Sequence, residues 1–268
     1  MDLLGFHSDH LHCIIKYLDP CSRVMLKVTC KKMDAVIRND RRQISLLNAA
    51  ALNGHLPLMK YLRTHPYCNY KKWNEITCEY AALSGHLHVL VYLRGEGCPW
   101  NHNTTSAAAD KGHLEVLKWL VSEDCQCLSS TWLRAAENGH LHVLKYLRSI
   151  GCPWNSYVTS YAAYGGHIDV LEWLLENDML SHEPLFFADA ALTGRLEVVK
   201  WMRSHGCHWS SSAYTYAASN NHLHVLNWLK MEGCPLDSDS YREAVETAKK
   251  YEQTEVLQWL TENPPALP

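Results

Sequence analysis

The chain has 268 residues with 25 Lys and Arg against 28 Asp and Glu, a formal net charge of -3. Both signs are mixed along it without a basic block, so electrostatic capture of nucleic acid is not indicated and a protein partner is expected instead. No apolar run approaches a membrane span, and Asp2, His7, Asp9, His10, His12 and Lys16 exclude a secretory signal, which points to a cytoplasmic protein.

The first stretch, Met1 to about Asp40, carries apolar residues at Leu11, Ile14, Ile15 and Leu18, then Asp19-Pro20, then Val24, Leu26, Val28, Met33, Val36 and Ile37. This spacing predicts short amphipathic helices near 8–18, 22–29 and 31–38, with a proline-marked break between the first two. His7, His10, His12 and Cys13 stand close in sequence, but a helix points them to different faces, and no metal is expected. The run Asp9-His10-Leu11-x-x-Ile14-Ile15-x-Tyr17-Leu18-Asp19-Pro20, followed by Val28-x-Cys30-Lys31-Lys32, resembles an F-box. That resemblance implies that Leu11, Ile14, Ile15, Leu18 and Pro20 meet a groove on a Skp1-like subunit of a cullin ubiquitin ligase. The alternative is a helical cap that seals the rest of the chain.

From about Gln43 to residue 263 one phrase returns, in its clearest form Gly139-His140-Leu141-His142-Val143-Leu144-Lys145-Tyr146-Leu147. It begins at Gly54, Gly85, Gly112, Gly139, Gly166, Gly194, Asn221 and Glu252, with steps of 31, 27, 27, 27, 28, 27 and 31 residues. A fixed period of this length marks a repeated supersecondary unit, here about eight copies. Four residues before each phrase stands Ala, and the next residue is Ala in all but the last copy; paired Ala favours helix and close stacking of neighbouring backbones. The Gly suits a left-handed residue past a helix end, and the apolar pairs Val89/Leu90, Val116/Leu117, Val143/Leu144 and Val170/Leu171 make the buried stripe of a second helix. The aromatic column Tyr61, Tyr92, Trp119, Tyr146, Trp173, Trp201, Trp228 and Trp259 is read as a packing spine with polar tips at its rim.

The histidines that open each phrase (His55, His86, His113, His140, His167, His222, with Arg195 and Gln253 as exceptions) are one per unit, poor ligand geometry. They are expected to hydrogen-bond backbone groups left open at helix ends. His88, His142 and His224 are expected on the solvated side of the second helix. Cys98, Cys152, Cys207 and Cys234 recur at one repeat position. Stacked helices lie roughly 8–10 Å apart, beyond a disulfide's Cα spacing of about 4.4–6.8 Å, so the cysteines are read as free thiols. Between units, Cys98-Pro99-Trp100, Cys152-Pro153-Trp154 and Cys207-His208-Trp209 fall in every other repeat. Trp100, Trp154 and Trp209 are therefore either partner contacts on loops or clamps folded back on a neighbouring helix. The charged helix near 241–250 and the stop at Asn263-Pro264-Pro265 close the array, leaving 264–268 as a tail.

The motif Ala-Ala-x-x-Gly-His-x-x-Val-hydrophobic-x-x-Leu resembles the ankyrin repeat over 43–263. The ankyrin unit runs to about 33 residues with a Thr-Pro-Leu-His helix start, whereas most units here have 27 and lack that start, so short loops with little or no β-hairpin are expected. Such compressed repeats resemble those of large DNA viruses, often found beside an F-box-like segment, which places the protein in a host cytoplasm. The expected fold class is all-α, an ankyrin-type helix-turn-helix solenoid behind a 1–40 helical module. No catalytic, cofactor or metal motif stands out, and the expected function is non-enzymatic: a substrate-recruiting adaptor for a Skp1/cullin-type ubiquitin ligase, or else a scaffold or inhibitor of one protein.

Overall fold

The computed structural model describes residues 46–64 and 73–265. The F-box-like stretch, with Leu11, Ile14, Ile15, Leu18 and Pro20, lies outside the described residues. All described secondary structure is helical, arranged as eight successive pairs. These are α1 (Leu46–Leu52) and α2 (Leu56–Thr64), α3 (Glu75–Leu83) and α4 (Leu87–Gly95), α5 (His102–Asp110) and α6 (Leu114–Ser122), α7 (Ser129–Glu137) and α8 (Leu141–Ser149). Then come α9 (Tyr157–Gly165) and α10 (Ile168–Glu176), α11 (Pro184–Leu192) and α12 (Leu196–Ser204), α13 (Ser212–Ser219) and α14 (Leu223–Met231), α15 (Ser238–Lys250) and α16 (Thr254–Glu262). Every second helix begins two residues after the first residue of the recurring phrase, so the sequence period is the structural period. No strand occurs among the described residues, and loops as short as 96–101 join the pairs, as the missing residues per unit require.

The local chemistry of one unit explains its shape. Asn74 and Asn101, each following a loop tryptophan, accept the backbone N–H of Thr77 (3.1 Å) and Asn103 (2.8 Å) and so start α3 and α5. The paired alanines are fully buried, and first helix stacks on first helix along each unit of the fold: α1 on α3 on α5, and α9 on α11 on α13 on α15. Hydroxyls cross this seam, with Thr77 Oγ1 donating to Asn48 Oδ1 (2.7 Å), Ser160 Oγ to Asp189 Oδ2 (2.5 Å) and Thr215 Oγ1 to Ser240 O (3.2 Å). These three hydroxyls thus have partners, which avoids the desolvation cost of leaving them bare.

Gly85, at φ 74°, makes the turn from α3 to α4, and a Cβ placed there would lie 2.7 Å from His113 Nδ1. Glycine is demanded twice, by the left-handed backbone and by the ring of the next repeat's histidine lying against it. Asn221 (φ 59°) and Glu252 (φ 55°) adopt the same conformation without that freedom.

The described residues fall into two compact units that divide between Thr131 and Trp132, inside α7. In the first, Cys78, Cys98 and Cys125 are free and buried; in the second, Cys207 and Cys234 are. The expectation of free thiols throughout is corrected at two positions, because Cys127 and Cys152 are each disulfide-bonded. Reasoning from equal repeat positions compared cysteines one full unit apart, and Cys127 stands off that column, two residues past Cys125.

Candidate functional site

The loop tryptophans divide into covered and open rings. The Arg94 guanidinium lies 4.2 Å over the Trp100 ring, whose other contact is an edge-on approach to Trp119 at 5.7 Å. Trp209 repeats the arrangement under Arg203, also at 4.2 Å, with Phe187 edge-on at 5.3 Å and Trp228 at 6.0 Å. A fourth member, Trp73, was missed in the sequence: it carries Arg63 at 5.1 Å and meets Tyr92 edge-on at 6.1 Å. An Arg–indole stack of this kind contributes about 0.5–1 kcal/mol where exposed, so these three rings are fastened by cation–π contact and aromatic packing.

Trp154 differs. Its equivalent arginine, Arg148, lies 5.8 Å over Trp173, and the neighbour of Trp154 is the fully buried Trp132, 6.3 Å away. Trp132 also stacks on Trp173 at 6.5 Å and donates its indole N–H to Cys152 O at 3.1 Å. The Trp154 ring remains 44% exposed, at the mouth of an open cleft of about 420 Å³ bounded by Trp132, Arg148, Pro153, Trp154 and the loop Asn177-Asp178-Met179. An aromatic plane with a cation and a carboxylate at its rim suits recognition of a protein segment.

The histidine column has a more specific role than its sequence position implied. His86 Nε2 reaches Leu52 O (3.1 Å), His167 Nε2 reaches Glu137 O (3.0 Å) and His222 Nε2 reaches Leu192 O (3.1 Å). Each histidine tethers its own repeat to an open carbonyl at or near the end of the preceding repeat's first helix. The two exceptions do the same: Arg195 Nε donates to Tyr164 O (3.2 Å) and Gln253 Nε2 to Ser219 O (2.7 Å). His88 and His224 are exposed as expected, yet their Nε2 atoms meet the carbonyls of Gly54 (3.2 Å) and Gly194 (2.8 Å). In the aromatic spine Tyr92, Trp119, Tyr146, Trp201 and Trp228 are half-buried, whereas Trp173 and Trp259 are buried; the Trp259 indole N–H donates to Asn227 Oδ1 at 2.7 Å.

Among the described residues no group of three or more His, Cys, Asp or Glu is arranged to hold a metal ion, and no helix is long and apolar enough to cross a membrane. No curated protein matches the chain in a sequence comparison. The family model for ankyrin repeats, in three copies, matches residues 132–213. That segment therefore consists of ankyrin repeats, the kind of unit that serves protein–protein interaction, and the described chain has an all-α, ankyrin-type helical repeat fold.

Proposed function

We propose that the chain is a non-enzymatic adaptor: its ankyrin repeats hold a protein target, and residues 1–40 dock on a Skp1-like subunit of a cullin-type ubiquitin ligase. The repeat half of the reading rests on the open indole of Trp154, which stands beside a cleft while Trp73, Trp100 and Trp209 are fastened under arginines. The N-terminal half rests on the F-box-like pattern through Leu11, Ile14, Ile15, Leu18 and Pro20. With that pattern, the domain plan is a 1–40 module, a 43–263 repeat array and a short 264–268 tail, working in the cytoplasm of a host cell.

One experiment separates adaptor from plain scaffold. The full chain, a chain lacking residues 1–40, Leu18→Asp and Trp154→Ala are compared for co-purification with a Skp1-like protein and for thermal stability. The adaptor reading expects the Skp1-like protein to follow the full chain and Trp154→Ala, and to be lost from the other two without a large fall in melting temperature, since a charge in a desolvated interface is costly. A partner held by the repeats should be released by Trp154→Ala alone. Recovery of no Skp1-like protein from the intact chain, with Leu18→Asp destabilising the array, would leave the N-terminus as a cap.

A further inference from the structure

In several repeats the outgoing loop is tied to the repeat's own first helix through the side chain three residues before the paired alanines. In the fourth repeat Trp132 donates its N–H to Cys152 O (3.1 Å), and in the seventh Tyr214 donates its hydroxyl to Cys234 O (3.1 Å). In the third, Thr105 Oγ1 donates to Gln126 O (2.8 Å); in the fifth, Thr159 Oγ1 accepts the N–H of Ser181 (3.0 Å). The second repeat has Cys78 in this place, and it meets not the loop's main chain but a second thiol, that of Cys98, at 3.3 Å between sulfurs. Among the described repeats this is the one with cysteine at both the helix position and the loop position. A thiol is a weak donor, so this tie is the weakest of the series.

We propose that Cys78 and Cys98 are a peroxide-responsive pair whose oxidation converts this weak tie into a disulfide locking the loop after α4 onto α3. Both thiols are free, and they are 0% and 1% exposed, so the oxidant has to be as small as hydrogen peroxide. The sulfurs have to approach by roughly 1.2 Å to reach the ~2.05 Å of a disulfide, a movement within the reach of side-chain rotation. Cys78 S–H donates to Cys98 Sγ, and Cys98 S–H has Asn74 O at 3.4 Å as its own acceptor. The hydrogen bond with Cys98, then burial, push the Cys78 thiol far above its ordinary range, which disfavours Cys78 as the first nucleophile.

The balance is complete with one peroxide. Cys98 gives up its proton as its sulfur attacks a peroxide oxygen, the O–O bond breaks, and Cys98 becomes a sulfenic acid while the departing hydroxide takes that proton and leaves as water. Cys78 sulfur then displaces the sulfenic hydroxyl; its proton leaves in water, and the S–S bond forms. Two thiols and one hydrogen peroxide give one disulfide and two waters, with the two electrons of the thiols passing to the peroxide oxygens. A thiol reductant returns the pair to its starting state.

The full chain is exposed to graded hydrogen peroxide, its remaining thiols are alkylated under denaturing conditions, and the unreduced digest is analysed by mass spectrometry. The expected result is a peptide linking Cys78 to Cys98, two hydrogens lighter than the sum of its parts, that disappears on reduction. Amide exchange over α3 and residues 96–101 should slow in the oxidised protein. Cys78→Thr places there the residue found at 105 and 159, so it keeps the fold, and it should give no linked peptide involving Cys98. Recovery of Cys78 fully alkylated after Cys98 has been consumed, or a linkage of Cys98 to any other cysteine, overturns the proposal.

Discussion

In His86, His167 and His222 a single N–H does the work of the histidine column, since a carbonyl only accepts and Nε2 must therefore carry the proton. Arg195 and Gln253 meet the same requirement with different chemistry. Imidazole adds a pH dependence that the other two lack. Burial lowers the His86 and His222 pKa values from their ordinary range, against the opposing pull of the backbone bonds, and His88 and His224 lower them further. A folded-state pKa below the unfolded value means that the unfolded chain binds the proton first. The stability is therefore whole above about pH 6.5 and is lost as pH falls from there through the depressed folded values. The double variant His86→Gln with His222→Gln keeps a donor at both places. Its urea midpoint should fall less than that of the unaltered chain between about pH 7.5 and about pH 5. Equal slopes in the two proteins would show that these rings titrate without consequence.

The turn that Gly85 makes freely is made under strain at the last repeat. Glu252 closes it with the same bonds, its N–H on Lys249 O (3.2 Å) and that of Gln253 on Ala248 O (2.9 Å), but at φ 55°. A left-handed L-residue costs roughly 1–2 kcal/mol, so Glu252→Gly should raise the unfolding free energy by about 1 kcal/mol after the entropy cost of glycine. Asn221→Gly should gain less, because Asn tolerates this conformation. Chemical denaturation of the two single variants checks both the sign and the order.

At the scale of elements, most of these helices have nine residues, too few to be stable alone, so packing and not propensity holds them. Trp173 on α10 is 9% exposed, stacked on Trp132 and covered by Arg148. Trp173→Ala should cost about 3–5 kcal/mol by leaving a cavity among groups that cannot all collapse into it. Trp259→Ala on α16 should cost less, although its ring is equally buried, because among the described residues that helix meets a neighbouring second helix, α14, on one side. Urea unfolding gives the two values, and hydrogen exchange should show lost protection concentrated in the repeats beside each substitution. Uniform loss across the described chain would contradict nearest-neighbour stacking.

For the whole molecule, what was legible in the sequence was whatever depends on a residue's place within one repeat. Paired alanines, the glycine turn and the apolar pair of the second helix are local requirements, so they return at each period and locate α1 to α16. The start of each second helix and the shortness of the loops followed from them. What depends on two variable positions meeting was not legible. Trp73 lacks the Cys-Pro that flags Trp100 and Trp154, although an arginine covers it as others cover Trp100 and Trp209; the arginine nine residues after the first residue of the recurring phrase, Arg63 like Arg94 and Arg203, was the signal to follow. The disulfide-bonded state of Cys127 and Cys152 escaped because the period aligns equal positions and Cys127 is off the column. The difference between a fastened tryptophan and an open one is tertiary altogether. Arg148 stands before Trp154 as Arg94 stands before Trp100, yet it covers Trp173, where Trp132 brings a large indole against both rings. The repeat encodes the stack because each unit needs the same backbone, while the exposed ring is decided by which side chains compete for one cation in three dimensions.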